Sequence, residues 1–144
     1  MKRKILSVAV AVLLIAVIAC MLVGCRSYEV SHGENDVTVS VNAEVIKDGN
    51  LKFLVDALDY LAKDGGLTYT LSGSMVTQID DLKNGPNYNP CIMIYSDSQN
   101  PDYVSEEWGT YQMGEVTYKS VTKGVTELPI EADVTYVFVL TTFD

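Results

Sequence analysis

From Ile5 to Gly24 the chain carries one polar residue, Ser7, and this run follows directly on Lys2, Arg3 and Lys4. A cationic start ahead of an apolar stretch is the layout of an export signal. Whatever folds must then do so outside the cytoplasm, on what remains of 144 residues. The same run, about 20 residues long, could also cross a bilayer uncut, so a retained anchor is the competing reading. Both place the folded part beyond the membrane.

The apolar run closes on Leu22, Val23, Gly24 and Cys25, followed at once by Arg26 and Ser27. An aliphatic residue, a small residue and a cysteine in that order resemble the bacterial lipobox, whose cysteine thiolate takes diacylglycerol and becomes the new N-terminus. Val17, Ile18, Ala19 and Cys20 fit more loosely, since cleavage there leaves the apolar Met21 to Gly24 on the product. The expectation is a signal peptide over 1–24 and lipidation at Cys25. The product is then held on the outer face of the cell membrane by a diacylglyceryl-cysteine, whose acyl chains anchor it stably.

With the signal removed and Cys25 lipidated, Cys91 stands alone. No intrachain disulfide is available, and a buried core must hold the domain together. Cys91 precedes Ile92, Met93 and Ile94 and reads as a small core hydrophobe. Loss of Lys2, Arg3 and Lys4 leaves seven basic residues against nineteen acidic ones, a formal charge of −12. Such a chain repels phosphate backbones, which sets nucleic acid aside as a partner.

Arg26 to Asn35 lacks apolar periodicity, so 25–35 reads as a tether and 36–144 as the domain. Val37, Val39, Val41, Ala43 and Val45 alternate with polar residues, the period of a strand with one covered face. Asn50 is placed to cap a helix in which Leu51, Leu54, Val55, Leu58, Leu61 and Ala62 share a face. Lys52 with Asp56 and Asp59 with Lys63 pair on its polar side, and Gly65 and Gly66 end it. Strands are expected at 67–71, 75–79 and 91–95, loops at 84–90 and 96–107, and a hairpin turning at Met113 and Gly114. Val134 to Phe143 is apolar at both parities, which predicts a central strand covered on both faces. One helix among several strands makes an α+β domain, the helix packed on a mixed or antiparallel sheet in the β-grasp manner.

The order of Asn50 to Ala62, Ser74 to Ile79, Trp108, Gly109, Thr110 and Tyr111, then Gly124, Val125, Leu128 and Pro129 resembles the transcobalamin-like C-terminal domain family. That family is common in lipoproteins of Gram-positive gut bacteria, and the resemblance covers nearly all of Asp36 to Phe143. In animal cobalamin carriers the related domain closes over a corrinoid together with a large helical domain, for which no counterpart is read here. Corrinoid binding is therefore what the resemblance implies. Ile92 stands where these domains usually carry a tryptophan, and Asp80 and Asp81 where they usually carry Asn-Gly.

The only histidine, His32, falls in the expected tether, so a histidine-based triad is not assembled and no catalytic residue is assigned. Asp97, Asp102, Glu106 and Glu107 crowd one loop. Gln99 and Pro101 occupy the positions where a calcium loop has Asp or Asn, so neither a metal nor a cofactor is expected. Tyr69, Tyr118 and Tyr136 fall within strand patterns and read as core. Tyr88 and Tyr103 lie in loops, and Trp108 and Tyr111 follow one. These four are the ligand-contact candidates, because rings bury large area at low entropic cost. Core or cross-strand packing is the competing reading for Trp108.

The functional expectation is a non-enzymatic, membrane-anchored extracellular module. It binds a small molecule, a corrinoid if the resemblance carries that far, or an envelope protein. The alternative is an adhesion or scaffold protein that pairs through a sheet edge.

Overall fold

A computed structural model describes residues 28–144, so the leader, Cys25 and the lipidation expected there lie outside the described residues. Tyr28–His32 forms β1 and Asp36–Val41 forms β2, an antiparallel pair running from Tyr28 opposite Val41 to His32 opposite Val37. The first strand corrects the tether reading: residues 28–32 are a strand of the sheet, so the folded unit already includes residues ahead of Asp36. Tyr28 and Val30 pack against the core, while Glu29, Ser31 and His32 are exposed. So short an apolar row falls below what periodicity can detect.

β2 stops at Val41, earlier than the alternation through Val45 suggests. The Asn42 side chain accepts the Val45 N–H at 3.0 Å and caps α1, Ala43–Asp48. A capped turn satisfies the backbone locally, so Ala43 and Val45 become helical. Asn50 is not a cap but sits at φ 49° between the two helices.

The main helix, α2, spans Leu54–Lys63. The Asp56 carboxylate accepts the N–H groups of Lys52 and Phe53 at 2.9 and 2.8 Å. Leu54 and Val55 donate to the carbonyls of Leu128 and Val125, so a loop from far along the chain uses first-turn donors that a helix leaves over. Leu54, Leu58 and Leu61 are fully buried on one face. On the other side Asp59 accepts from the Tyr69 hydroxyl, where the sequence suggested a pair with Lys63.

Tyr69–Ser72 (β3), Met75–Ile79 (β4) and Leu82–Lys83 (β5) make a small antiparallel sheet that turns at Gly73, φ 61°. A turn at Pro86–Tyr88 then leads into β6, Cys91–Ser96. The hairpin of β7, Val104–Met113, and β8, Val116–Val121, is followed by β9, Thr135–Thr141. The large sheet is ordered β1-β2-β9-β6-β8-β7, with every neighbour antiparallel. The architecture is α+β: a mostly antiparallel sheet with one main helix. Among the described residues no helix is long and apolar enough to cross a membrane.

β9 lies between β2 and β6. Tyr136 and Phe138 point into the core under α2, Val137 and Val139 point to the opposite face, and all four are buried, as apolarity at both parities requires. On the core side Leu58 and Leu61 of α2 and Val76 and Ile79 of β4 meet Val39, Ile92 and Phe138. This second layer reaches β6, while β8 and β7 continue beyond it.

Among the described residues no helix covers the opposite face, yet Tyr95 and Tyr118 are buried there. Curvature accounts for it. β2 and β7 are four strand spacings apart, about 19 Å in a flat sheet. Nevertheless the Tyr111 hydroxyl of β7 donates to Asp36 Oδ2 of β2 at 2.6 Å. The sheet therefore coils until its diagonal corners meet, with the Tyr111 ring stacked on Tyr95 at 5.7 Å.

The Asp36 carboxylate holds the Tyr111 phenol protonated, pushing it from the ordinary 10.0 up to about 12. A raised folded-state value means stabilisation that is complete below pH 10 and lost as pH rises towards about 12. Tyr111→Phe is expected to cost about 1 kcal/mol at neutral pH, since the bond is only partly buried, and to flatten the alkaline fall in stability. Denaturant midpoints measured across that pH range check both effects.

Candidate functional site

The outermost strand, β7, does not run straight. Ser105 pairs with Ser120, and the next paired residue, Thr110, faces Lys119, so residues 106–109 bulge out of the ladder. Gly109 takes φ 102° with open space where a Cβ would stand, so glycine is needed there for its backbone alone. The bulge leaves Trp108 67% exposed. That corrects the reading of Trp108 as core or cross-strand packing, because a residue looped out of the ladder has no partner directly opposite.

Trp108 stands at a cleft of about 230 Å³. The buried Val76 and Ile92 form its floor, Ile94 and Val121 its walls, and the exposed Met75 and Lys123 join Trp108 at the rim. The cleft exists because the layer of helix and small sheet ends over β6 while β8 and β7 run on. One wall is tied down by Val125, whose N–H donates to the Ser74 carbonyl at 3.1 Å. A Cβ on Gly124 would lie 2.5 Å from Ser74 Cβ and 2.8 Å from its carbonyl oxygen, so no side chain fits unless the backbone moves. Gly124→Ala is expected to destabilise the domain by about 1 to 3 kcal/mol, read from urea denaturation.

Of the four candidate rings, only Trp108 lines this cleft. Tyr88 is exposed in the turn before β6. Tyr103 packs against the core, and its carbonyl accepts the Thr122 N–H at 3.0 Å. Tyr111 lies on the opposite sheet face with Asp36 and Tyr95. Sequence reasoning reaches Trp108 but not Met75, Val121 or Lys123, which periodicity cannot tell from ordinary strand and loop positions. Ile92, where the resemblance leads one to look for a tryptophan, is the cleft floor.

His32 ends β1 and places Nε2 at 2.6 Å from Asp80 Oδ2. The neighbouring hydroxyl, Thr68 Oγ1, donates to Asp80 Oδ1 at 3.3 Å. Hydroxyl and imidazole thus both address the carboxylate, whereas an activated nucleophile needs the hydroxyl on the imidazole. The acidic residues of 97–107 serve separate ends: Asp97 Oδ1 accepts the Thr135 N–H at 2.8 Å, and Glu106 lies 3.6 Å from Lys119. Among the described residues no group of three or more His, Cys, Asp or Glu side chains is arranged to hold a metal ion. Cys91 is a half-buried free thiol, its pKa pushed up by burial.

Comparison with protein-family models, with curated proteins and with solved structures returns no match.

Proposed function

We propose that the protein is a lipid-anchored, extracellular, non-enzymatic binding module that takes its ligand or envelope partner beside Trp108. The observation that carries this reading is an indole held in water by a bulge, at the rim of an apolar cleft. Leaving about two thirds of a tryptophan exposed forgoes roughly 3 to 4 kcal/mol of burial, which a partner covering it would recover. A single exposed apolar residue needs no explanation. Here Met75 is exposed beside the same cleft and the floor is aliphatic, so the patch is continuous.

At about 230 Å³ the cleft is smaller than pockets that enclose a drug-sized ligand, which run from about 300 to 1,000 Å³. A corrinoid, the ligand the family resemblance implies, would lie flat against the indole and stay open to solvent. One helix across a curved antiparallel sheet supports the β-grasp-like, transcobalamin-type assignment in outline. The early start of β1 bears on the anchor. Two residues, Arg26 and Ser27, separate Cys25 from Tyr28, and three Cα steps reach about 10 Å at full extension. The domain then rests against the lipid headgroups.

Because Trp108 is the only tryptophan, intrinsic fluorescence reports the site directly. Titration with cobalamin and with envelope fractions is expected to give a saturable change for at least one of them. Responses that never saturate for any would count against the reading. Cys25→Ala is expected to release the protein from the membrane fraction and to stop incorporation of labelled lipid. Unchanged attachment and labelling in that variant would overturn the anchor.

A second reading, pairing through a sheet edge, has its own support. β1 is an edge strand of five residues in unbroken register, whereas the other edge, β7, is interrupted by its bulge. Bulges blunt an edge, and regular strands invite addition of another. This reading requires concentration-dependent association in sedimentation. A domain that stays monomeric and retains no partner would remove it.

A further inference from the structure

Among the described residues Lys123 is the one charged side chain lining the Trp108 cleft. Lys119, two strand positions earlier in β8 than Val121, is engaged by Glu106, but among the described residues no carboxylate lies within ion-pair distance of Lys123. Among the described lysines only Lys119 is ion-paired, and what sets Lys123 apart is its place on this cleft, in a chain with nineteen acidic residues against ten basic ones. The overall field repels anions, so an anion is drawn to this spot only by a local cation. An ammonium on a flexible stem supplies three donors and a point charge. Beside it the indole and the Met75 thioether favour a ring.

We propose that the cleft takes a small amphipathic carboxylate, its ring against Trp108 and the aliphatic floor and its carboxylate at Lys123. This rests on the reading of the cleft as the binding site and names the ligand class for it. The cleft volume of about 230 Å³ admits a small aromatic group and leaves the charged end in partial contact with water.

The test uses the full-length chain in lipid nanodiscs, with nitrobenzoate and its neutral amide, nitrobenzamide, as probes. The two share a ring that quenches indole fluorescence and differ in charge. The acid is expected to saturate Trp108 quenching at about fivefold lower concentration than the amide at low salt, the scale of a partly exposed ion pair. Lys123→Gln is expected to bring the acid down to the amide. Equal curves in the wild type, or a preference for the acid that survives Lys123→Gln, would overturn the proposal. Saturable, equal binding of both probes leaves the cleft standing and removes the carboxylate. Only unsaturable, collisional quenching by both would sink the cleft as well.

Discussion

Trp108→Ala is expected to weaken ligand capture at least about thirtyfold, the scale of a central aromatic anchor at a binding surface, while shifting folding stability by less than about 0.5 kcal/mol. The two parts belong together. Trp108 is 67% exposed in a bulge whose residues make no ladder pairs, so the folded chain loses little when the ring is removed. A ligand covering the cleft loses its largest contact. Isothermal titration of wild type and variant, with denaturation of each, separates the two effects. A variant that binds as well as wild type would remove the cleft. A variant destabilised by several kcal/mol would mean that the indole is part of the core.

Phe138→Ala is expected to have the largest effect on stability, a loss of about 3 to 5 kcal/mol. Phe138 is fully buried, lies on an inner strand opposite both Val37 and Ile94, and joins the cluster under α2. Its removal leaves a cavity where two layers meet, and among the described residues no disulfide holds them. For a domain of this size total stability is roughly 5 to 15 kcal/mol, so a sizeable unfolded fraction follows at physiological temperature. Urea denaturation is the check, and a loss under about 1 kcal/mol would show that β9 is not the centre of the sheet.

The parts of the fold legible in the sequence are those whose apolar residues repeat along one element. Leu54, Leu58 and Leu61 mark α2, and the double parity of Tyr136 to Val139 marks a strand covered on both sides. β1 escapes because an edge strand turns so few apolar side chains inward, here Tyr28 and Val30. α1 escapes because one hydrogen bond, from Val45 N–H to the Asn42 side chain, decides between continuing a strand and starting a helix. Trp108 is legible as a candidate but not in its setting. Whether it packs or protrudes depends on the register slip between Ser105 and Thr110, for which Gly109 is the only local sign. The coil that brings Tyr111 to Asp36 joins residues 75 apart in the chain and leaves no trace in local pattern.

Binding beside Trp108 requires the indole to stand in water. Acrylamide quenching of the intrinsic fluorescence of the intact protein tests this without ambiguity, because the chain has one tryptophan. The expected result is red-shifted emission and quenching nearly as efficient as for free indole in water, reduced when the site is filled. Blue-shifted emission that resists acrylamide would put Trp108 in the interior and contradict the bulge, the cleft and the binding role built on them.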